Sequence, residues 1–552
     1  MILDNKMKPL KKFTCLFLFF LQMGAIGKII AQSNTIILGR PTDKTITASV
    51  LFDQKVDFYI EFGTKSGDYP NKTSTISNLL KTPDKVLIEK LSPNTKYYYR
   101  LQSKLSGAPN FTPGPEYSFH TQRSVGESFS FTIEADEHLY DKKGVRSLYQ
   151  ITLANQLKDN PDFMISLGDT FGDDHTPAET TSADMEALHK DYLQYLGKIC
   201  HSVPFFFCLG NHEGENGYYL KQNPPNNIAV YGSVWRKFYY PNPYPNTFYS
   251  GNMNNEGFGI GQPENYYAFE WGDALFVILD VYRHCDVNEK PQKWDWTLGK
   301  TQYDWLKSTL EDSKSKYKFV FAHHTRGQGR GGVGTAKGYE WGGYNGDSGS
   351  NYQFDIYRPG WGLPIHQLMK KNGVNIFFQG HDHLFAKEEL DGLVYQEVPM
   401  PSDTSYQIGM LANADAYTDV TMDGSGHMRV SVSPFCVKVD YVKAYLPKDE
   451  NGTRKNQQIG YSYTVGSCVT STEDEIADDL IKVFPNPGDQ MLNIQIQDNA
   501  ELEKATLYNS LGQVQTISTS AAMNTSNVPD GIYMLEVESG GKKITRKIMI
   551  HH

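Results

Sequence analysis

Apolar and polar positions alternate along the chain with two different periods, and the change from one to the other divides it. Between Asn34 and Arg123 the period is two. Thr45-Ile-Thr-Ala-Ser-Val-Leu-Phe52 and Val56-Asp-Phe-Tyr-Ile-Glu-Phe62 alternate and are bounded by Asp, Gly and Pro turns. That is the pattern of half-buried strands, and it predicts an all-β unit over residues 33–123. From Ser128 short apolar runs, at 129–133, 163–167, 203–209, 274–279, 318–322 and 374–378, predict buried strands. Stretches at 145–157, 185–196, 302–310 and 365–370 carry apolar residues at helical spacing between them. Repeated strand–helix–strand order predicts a layered α/β domain over 127–446, with ligand sites beyond the carboxyl ends of its strands.

After His383 strands return at 394–398 and 429–439, which predicts a second sheet of the same domain. Residues 214–267 and 327–362 have little periodicity and many Asn, Gly, Pro and Tyr residues, the composition of lids or binding loops. A polar stretch beginning at Pro447 predicts a linker over 447–474. Alternation with glycine turns then resumes, predicting a small β-sandwich over 475–552.

Composition narrows the function classes. The chain has 552 residues, long enough for about three or four domains. A net charge of −10 leaves no basic stripe for tracking a nucleic-acid backbone, so no nucleic-acid partner is expected. A small phosphorylated substrate stays open, because bound cations would supply local positive charge. Lys6, Lys8, Lys11 and Lys12 precede an apolar run at 13–21, and Ala31-Gln32 offers a cleavage point. That run is too short for a membrane span and predicts a signal peptide over 1–32 and an exported protein without a transmembrane segment. The five cysteines beyond it (Cys200, Cys208, Cys285, Cys436 and Cys468) are widely spaced and form no CxxC pair. They allow at most two disulfides and no disulfide framework.

Ligand-type residues fall at five expected strand ends: Asp136-Glu137-His138, Gly168-Asp169, Gly210-Asn211-His212-Glu213, His323-His324 and Gly380-His381-Asp382-His383. A single histidine after a strand is usually a hydrogen-bonded surface residue. Five such ends at one edge of a layered domain point to a metal centre.

The order Asp-x-His, Gly-Asp, Gly-Asn-His-Glu, His and Gly-His-x-His resembles the calcineurin-like metallophosphoesterases. Leu91-Ser-Pro93-Asn-Thr95-Lys-Tyr97 resembles the corner of a fibronectin type III domain. A domain of that kind ahead of the site makes the arrangement similar to the purple acid phosphatase branch. The resemblance implies a four-layer domain, two sheets flanked by helices, with two divalent metal ions. It implies Asp136, His138 and His383 on the first metal, Asn211, His323 and His381 on the second, and Asp169 bridging them. His212 would face the leaving group as an imidazolium. Whether His323 or His324 is the ligand stays open, with strand continuity favouring His323. Val483-Phe-Pro-Asn-Pro-Gly488, Leu511-Gly-Gln513 and Gly531-Ile-Tyr533 resemble the type A sorting domain of the Bacteroidetes type IX secretion system. That implies the secretion machinery as a partner and a secreted or cell-surface location.

One departure bears on the metals. Purple acid phosphatases place a tyrosine three residues after the bridging aspartate, and here that position is Gly172. The first motif also carries His138 where that branch has glycine. A colourless centre of Mn, Zn, Fe(II) or Ca is therefore expected. His324, Arg326, Arg330 and Arg283 are candidate substrate contacts, arginine being suited to bidentate phosphoryl binding. The expected activity is hydrolysis of phosphate monoesters. A phosphodiesterase or nucleotidase on the same core, and a surface-binding protein with an inactive phosphatase domain, are the alternatives.

Overall fold

The computed structural model describes residues 33–552 except 173–175, 326–328, 410–413, 467–480, 497–501, 510–512 and 540–541. The segment expected to be a signal peptide lies outside the described residues.

Two sheets packed face to face form the central domain. One has six strands in the order Phe205–Phe207, Phe163–Ser166, Phe129–Glu134, Ser425–Val432, Cys436–Ala444, Ile459–Gly466. The other has eight and contains Tyr267–Trp271, Ala274–Ile278, Tyr317–Phe321, Ile376–Gln379 and Leu393–Glu397 as consecutive neighbours. The apolar runs are continuous because both faces of each strand are covered. Phe276 and Ile278 point into the core between the sheets, whereas Leu275 and Val277 point to the outer layer. Phe319 and Phe321 face inward and Val320 outward, and Phe206 faces inward with Phe205 and Phe207 outward. The outer layers are helices. Gly299–Asp312 and Ile365–Lys371 cover the eight-stranded sheet, while Arg146–Lys158 and Ser182–Leu196 cover the six-stranded one. Thr181 starts the last of these in a capping box with Asp184.

Strand direction places the site. Phe129–Glu134, Phe163–Ser166 and Phe205–Phe207 run parallel, as do Ala274–Ile278, Tyr317–Phe321 and Ile376–Gln379. All five ligand-bearing turns leave the carboxyl ends of these strands.

Three expectations change. The strands after His383 do not make a sheet of their own. Leu393–Glu397 joins the eight-stranded sheet, and Ser425–Val432 pairs antiparallel with Phe129–Glu134 in the other. Ile459–Gly466, expected within a linker, forms an edge strand on Cys436–Ala444, with Tyr461, Tyr463 and Val465 packed on the core. Its alternation IGYSYTVG is that of a half-covered edge, and the polar residues before it masked the signal. Third, the segment 214–267 contains the helix Ile228–Tyr239, whose tyrosines and tryptophan disguise a helical period.

The N-terminal unit is two antiparallel sheets around a core that includes Val50, Phe58, Ile60 and Tyr99. It is docked rather than tethered. Ile37 and Leu51 enter the core beneath Ser182–Leu196, the Tyr99 hydroxyl donates to the His201 carbonyl at 2.6 Å, and the Ser49 hydroxyl to that of Tyr239 at 2.8 Å. The C-terminal unit is again two sheets around Leu492, Leu507, Leu535 and Ile548. Cys436 is disulfide-bonded, and Cys200, Cys208 and Cys285 are free and buried. No helix among the described residues is long and apolar enough to cross a membrane.

Phe276 lies at the centre of the inter-sheet core. Its ring stacks on Phe269 at 5.0 Å and meets Phe131 edge-on at 5.0 Å. Phe276→Ala is expected to destabilise the central domain by about 3–5 kcal/mol, read as a shift of its denaturant midpoint.

Candidate metal centre

The five turns bring their side chains into two adjoining clusters. Asp136, His138 and His383 offer ligand atoms within 4.8 Å of one another, and so do Asp169, His323 and His381. Asp169 joins the two: its Oδ2 is 3.2 Å from Nε2 of His323 in its own cluster and 3.7 Å from Nε2 of His138 in the other. Oδ1 of Asn211 lies 3.1 Å from Nε2 of His323, which adds a neutral oxygen to the second cluster. His212 sits at the rim with its side chain 20% exposed, its Nε2 4.0 Å from Oδ2 of Asp169.

Several atoms in the first cluster lack a hydrogen bond among the described residues. Oδ1 of Asp136, Nε2 of His138 and Nδ1 of His383 are buried and have no hydrogen-bond partner among the described residues. Leaving such atoms without a partner is costly. His323 is oriented for ligation, because its Nδ1 lies 2.9 Å from the Leu167 carbonyl oxygen, which leaves Nε2 for the cluster. His138 is held in the same way, its Nδ1 being 3.2 Å from Oδ2 of Asp141 and 3.0 Å from the Tyr140 hydroxyl.

Charge tells the same story. Burial works against ionising Asp136, yet the His323 and His383 charges hold it well below the usual carboxylate range. Asp169 is likewise lowered against burial by His323 and His212. Burial opposes the charge on His138 too, but Asp136, Asp141 and Asp169 push it up to about 9, and Asp169 and Asp136 do the same to His323. The two carboxylates thus favour a proton on His138 and His323, whereas burial works against one on His381 and His383. Divalent cations would displace those protons, and a set of imidazoles, carboxylates and one amide suits them.

Backbone strain marks the site as well. Asp136, His138, Asp169, His381 and His383 all have positive φ, between 46° and 80°, a region that costs a non-glycine residue about 1 kcal/mol or more. The strain is held by hydrogen bonds. The His381 N–H donates to Oδ2 of Asp136 at 2.8 Å, and the His212 N–H to Oδ1 of Asp169 at 2.8 Å. Buried Glu213 accepts from four backbone N–H groups: Thr170 at 2.6 Å and Phe171 at 3.1 Å on Oε1, Gly210 at 2.6 Å and Asp169 at 3.0 Å on Oε2. This carboxylate fixes the second and third turns together. Burial and the Asp169 charge push it up to about 7, while the N–H groups oppose that. The turns touch so closely that a Cβ built at Gly172 would lie 1.4 Å from the His212 carbonyl oxygen. No side chain fits there, tyrosine included.

The other candidates separate. His323 is in the cluster. His324 is fully buried behind it with Nε2 3.2 Å from the Gly331 carbonyl oxygen, so it packs under the glycine-rich segment instead of contacting substrate. Arg283 is also corrected: it is 7% exposed, its Nε and Nη2 pair with Glu256, and its Nη1 donates to the carbonyls of Glu215 and Ala229. A guanidinium used in that way braces the 214–267 segment and is committed to protein partners. Arg326 lies outside the described residues. Arg330 reaches the site, its Nη1 donating to the His381 carbonyl at 2.7 Å. The supporting residues Glu213 and Asp141 have no role in the sequence reading, because a carboxylate that serves backbone N–H groups or a ring nitrogen has no spacing signature.

Residues 130–385 match the family model described as calcineurin-like phosphoesterase, and residues 482–551 match that of the secretion system C-terminal sorting domain. Among solved structures, PhoD aligns with a TM-score of 0.54 at 16% identity, covering 78% of this chain and 90% of PhoD. The purple acid phosphatase PPD1 from seeds of yellow lupin (Lupinus luteus) aligns with a TM-score of 0.52 at 16% identity, covering 80% of this chain and 78% of its own. At these identities the likeness is one of fold. No curated protein matches the chain.

Glu213→Gln keeps the shape but turns one acceptor oxygen into a donor facing backbone N–H groups. It is expected to cost about 2–4 kcal/mol in the central domain and to lower metal affinity about 10–100-fold, read by denaturation and by calorimetric metal titration. Unchanged metal affinity in a folded variant would count against Glu213 as the tie between the turns.

Proposed function

We propose that this chain, which carries a calcineurin-like phosphoesterase domain and is thereby a hydrolase of phosphoric esters, is an exported phosphomonoesterase. The observation that carries the reading is the pair of adjoining three-residue clusters, with Asp169 of one 3.7 Å from His138 of the other. Asp136, His138 and His383 would hold one divalent metal ion and Asn211, His323 and His381 the other, with Asp169 between them. Such ions supply positive charge for the phosphoryl oxygens and make water acidic enough to attack at neutral pH. Asn211 supplies a ligand oxygen without adding a negative charge against an anionic substrate. His212, partly exposed beside Asp169, donates its proton to the departing oxygen, and Arg330 holds a phosphoryl oxygen.

The sorting domain addresses the chain to secretion or the cell surface. Residues 1–32 fit a signal peptide, and the N-terminal unit a fibronectin type III-like spacer. We take the metals to be Mn, Zn, Fe(II) or Ca, a reading supported by Gly172, where there is no room for the tyrosine that ligates ferric iron in the purple branch.

Two measurements test this. Protein loaded with Mn or Zn is expected to hydrolyse p-nitrophenyl phosphate faster than its bis-ester, and Asp169→Asn to abolish both activities. Faster turnover of the bis-ester would favour a phosphodiesterase, and no turnover of either would favour a binding protein. His212→Ala should slow an alkyl phosphate by about 10²–10⁴-fold and p-nitrophenyl phosphate much less, because the better leaving group needs little protonation. Iron-loaded protein should show no visible charge-transfer band, and a purple preparation would refute the metal assignment.

A further inference from the structure

Asp382 lies between two cluster histidines in sequence, is fully buried, and grips the glycine-rich segment that follows His323. Its Oδ1 accepts from Nη1 of Arg330 at 2.8 Å. Its Oδ2 accepts from the Gly331 N–H at 2.8 Å and from the Tyr417 hydroxyl at 2.7 Å. That hydroxyl is also 3.0 Å from Oε2 of buried Glu397, and Oε1 of Glu397 takes the Asp382 N–H at 3.0 Å. The far side is closed too: Gly331 has φ +102°, and a Cβ there would stand 2.9 Å from the carbonyl oxygen of Ala416, next to Tyr417.

One edge of the Arg330 guanidinium is thereby fixed. Nη1 bonds both Asp382 and the carbonyl of the cluster residue His381. The side chain is 41% exposed, and among the described residues its Nε and Nη2 have no partner. An arginine pinned on one edge has lost most of its rotamer freedom before a substrate arrives, so its remaining donors are preorganised.

We propose that Asp382 and Tyr417 are positioning residues that aim Arg330 at a further nonbridging phosphoryl oxygen, and that this selects monoester dianions over diesters. The inference rests on the reading of the site as a phosphoesterase centre with Arg330 as a phosphoryl contact. A monoester near neutral pH spreads close to two negative charges over three nonbridging oxygens, whereas a diester has one charge over two. A preorganised guanidinium therefore finds a further charged partner only in the monoester, and in the inorganic phosphate it releases.

The test is a double-mutant cycle on the full-length, metal-loaded protein: wild type, Arg330→Ala, Tyr417→Phe and the pair. The readouts are kcat and KM for p-nitrophenyl phosphate and its bis-ester, metal content, and the Kd of inorganic phosphate by calorimetry, which needs no turnover. Tyr417→Phe is expected to raise the monoester KM and the phosphate Kd about tenfold and to leave the bis-ester within about twofold. Metal content should not change, and in the Arg330→Ala background Tyr417→Phe should add nothing. An equal loss in that background, or an equal loss on both esters, overturns the proposal. Asp382→Asn repeats the test should Tyr417→Phe not fold, and an unchanged phosphate Kd in it is equally fatal. If not even the wild type hydrolyses either ester, the phosphoesterase reading fails, while the phosphate titration still decides whether Tyr417 acts through Arg330.

Discussion

A single buried carboxylate holds the centre in register. Glu213 accepts from four backbone N–H groups drawn from two turns that leave neighbouring parallel strands. Without it those N–H groups would be buried and unpaired, and the turns carrying Asp169, Asn211 and His212 would be free to separate. The contact also explains why glycine stands at 210, where a Cβ would lie 2.3 Å from Oδ1 of Asp169, and at 172. Strain at the positive-φ ligand residues is sustained because hydrogen bonds of this kind over-determine the backbone.

From that constraint follows the charge pattern. Two buried carboxylates, Asp136 and Asp169, stand among four histidines in a space whose polar atoms are not all satisfied among the described residues. Folding such a group of charges is unfavourable unless cations or protons neutralise it. The site suits divalent metal, and supporting residues leave one nitrogen of His323 and one of His138 for it. The Leu167 carbonyl does this for His323, and Asp141 with Tyr140 does it for His138.

Much of this was legible in the sequence for a physical reason. A strand buried on both faces is a short continuous apolar run, and the residue just past its carboxyl end lies at the site, so the five turns could be read from the runs before them. The structure brings Asp136, His138, Asp169, Asn211, His323, His381 and His383 close together. What failed was information carried by packing. Ile459–Gly466 hides as an edge strand among polar residues, and Ile228–Tyr239 hides as a helix rich in aromatics. Arg283 followed a strand end like the ligands do, but which acidic group it meets, Glu256 from a remote loop, is fixed only by the fold. His324 and His323 are adjacent in sequence and differ only in which side of the turn they leave.

Anomalous diffraction from crystals soaked in Mn or Zn decides whether two cation sites share Asp169. Two peaks about 3.5–4 Å apart are expected, one within reach of Asp136, His138 and His383, the other of Asn211, His323 and His381, both touching Asp169. A single peak, or two that do not share Asp169, would contradict this arrangement.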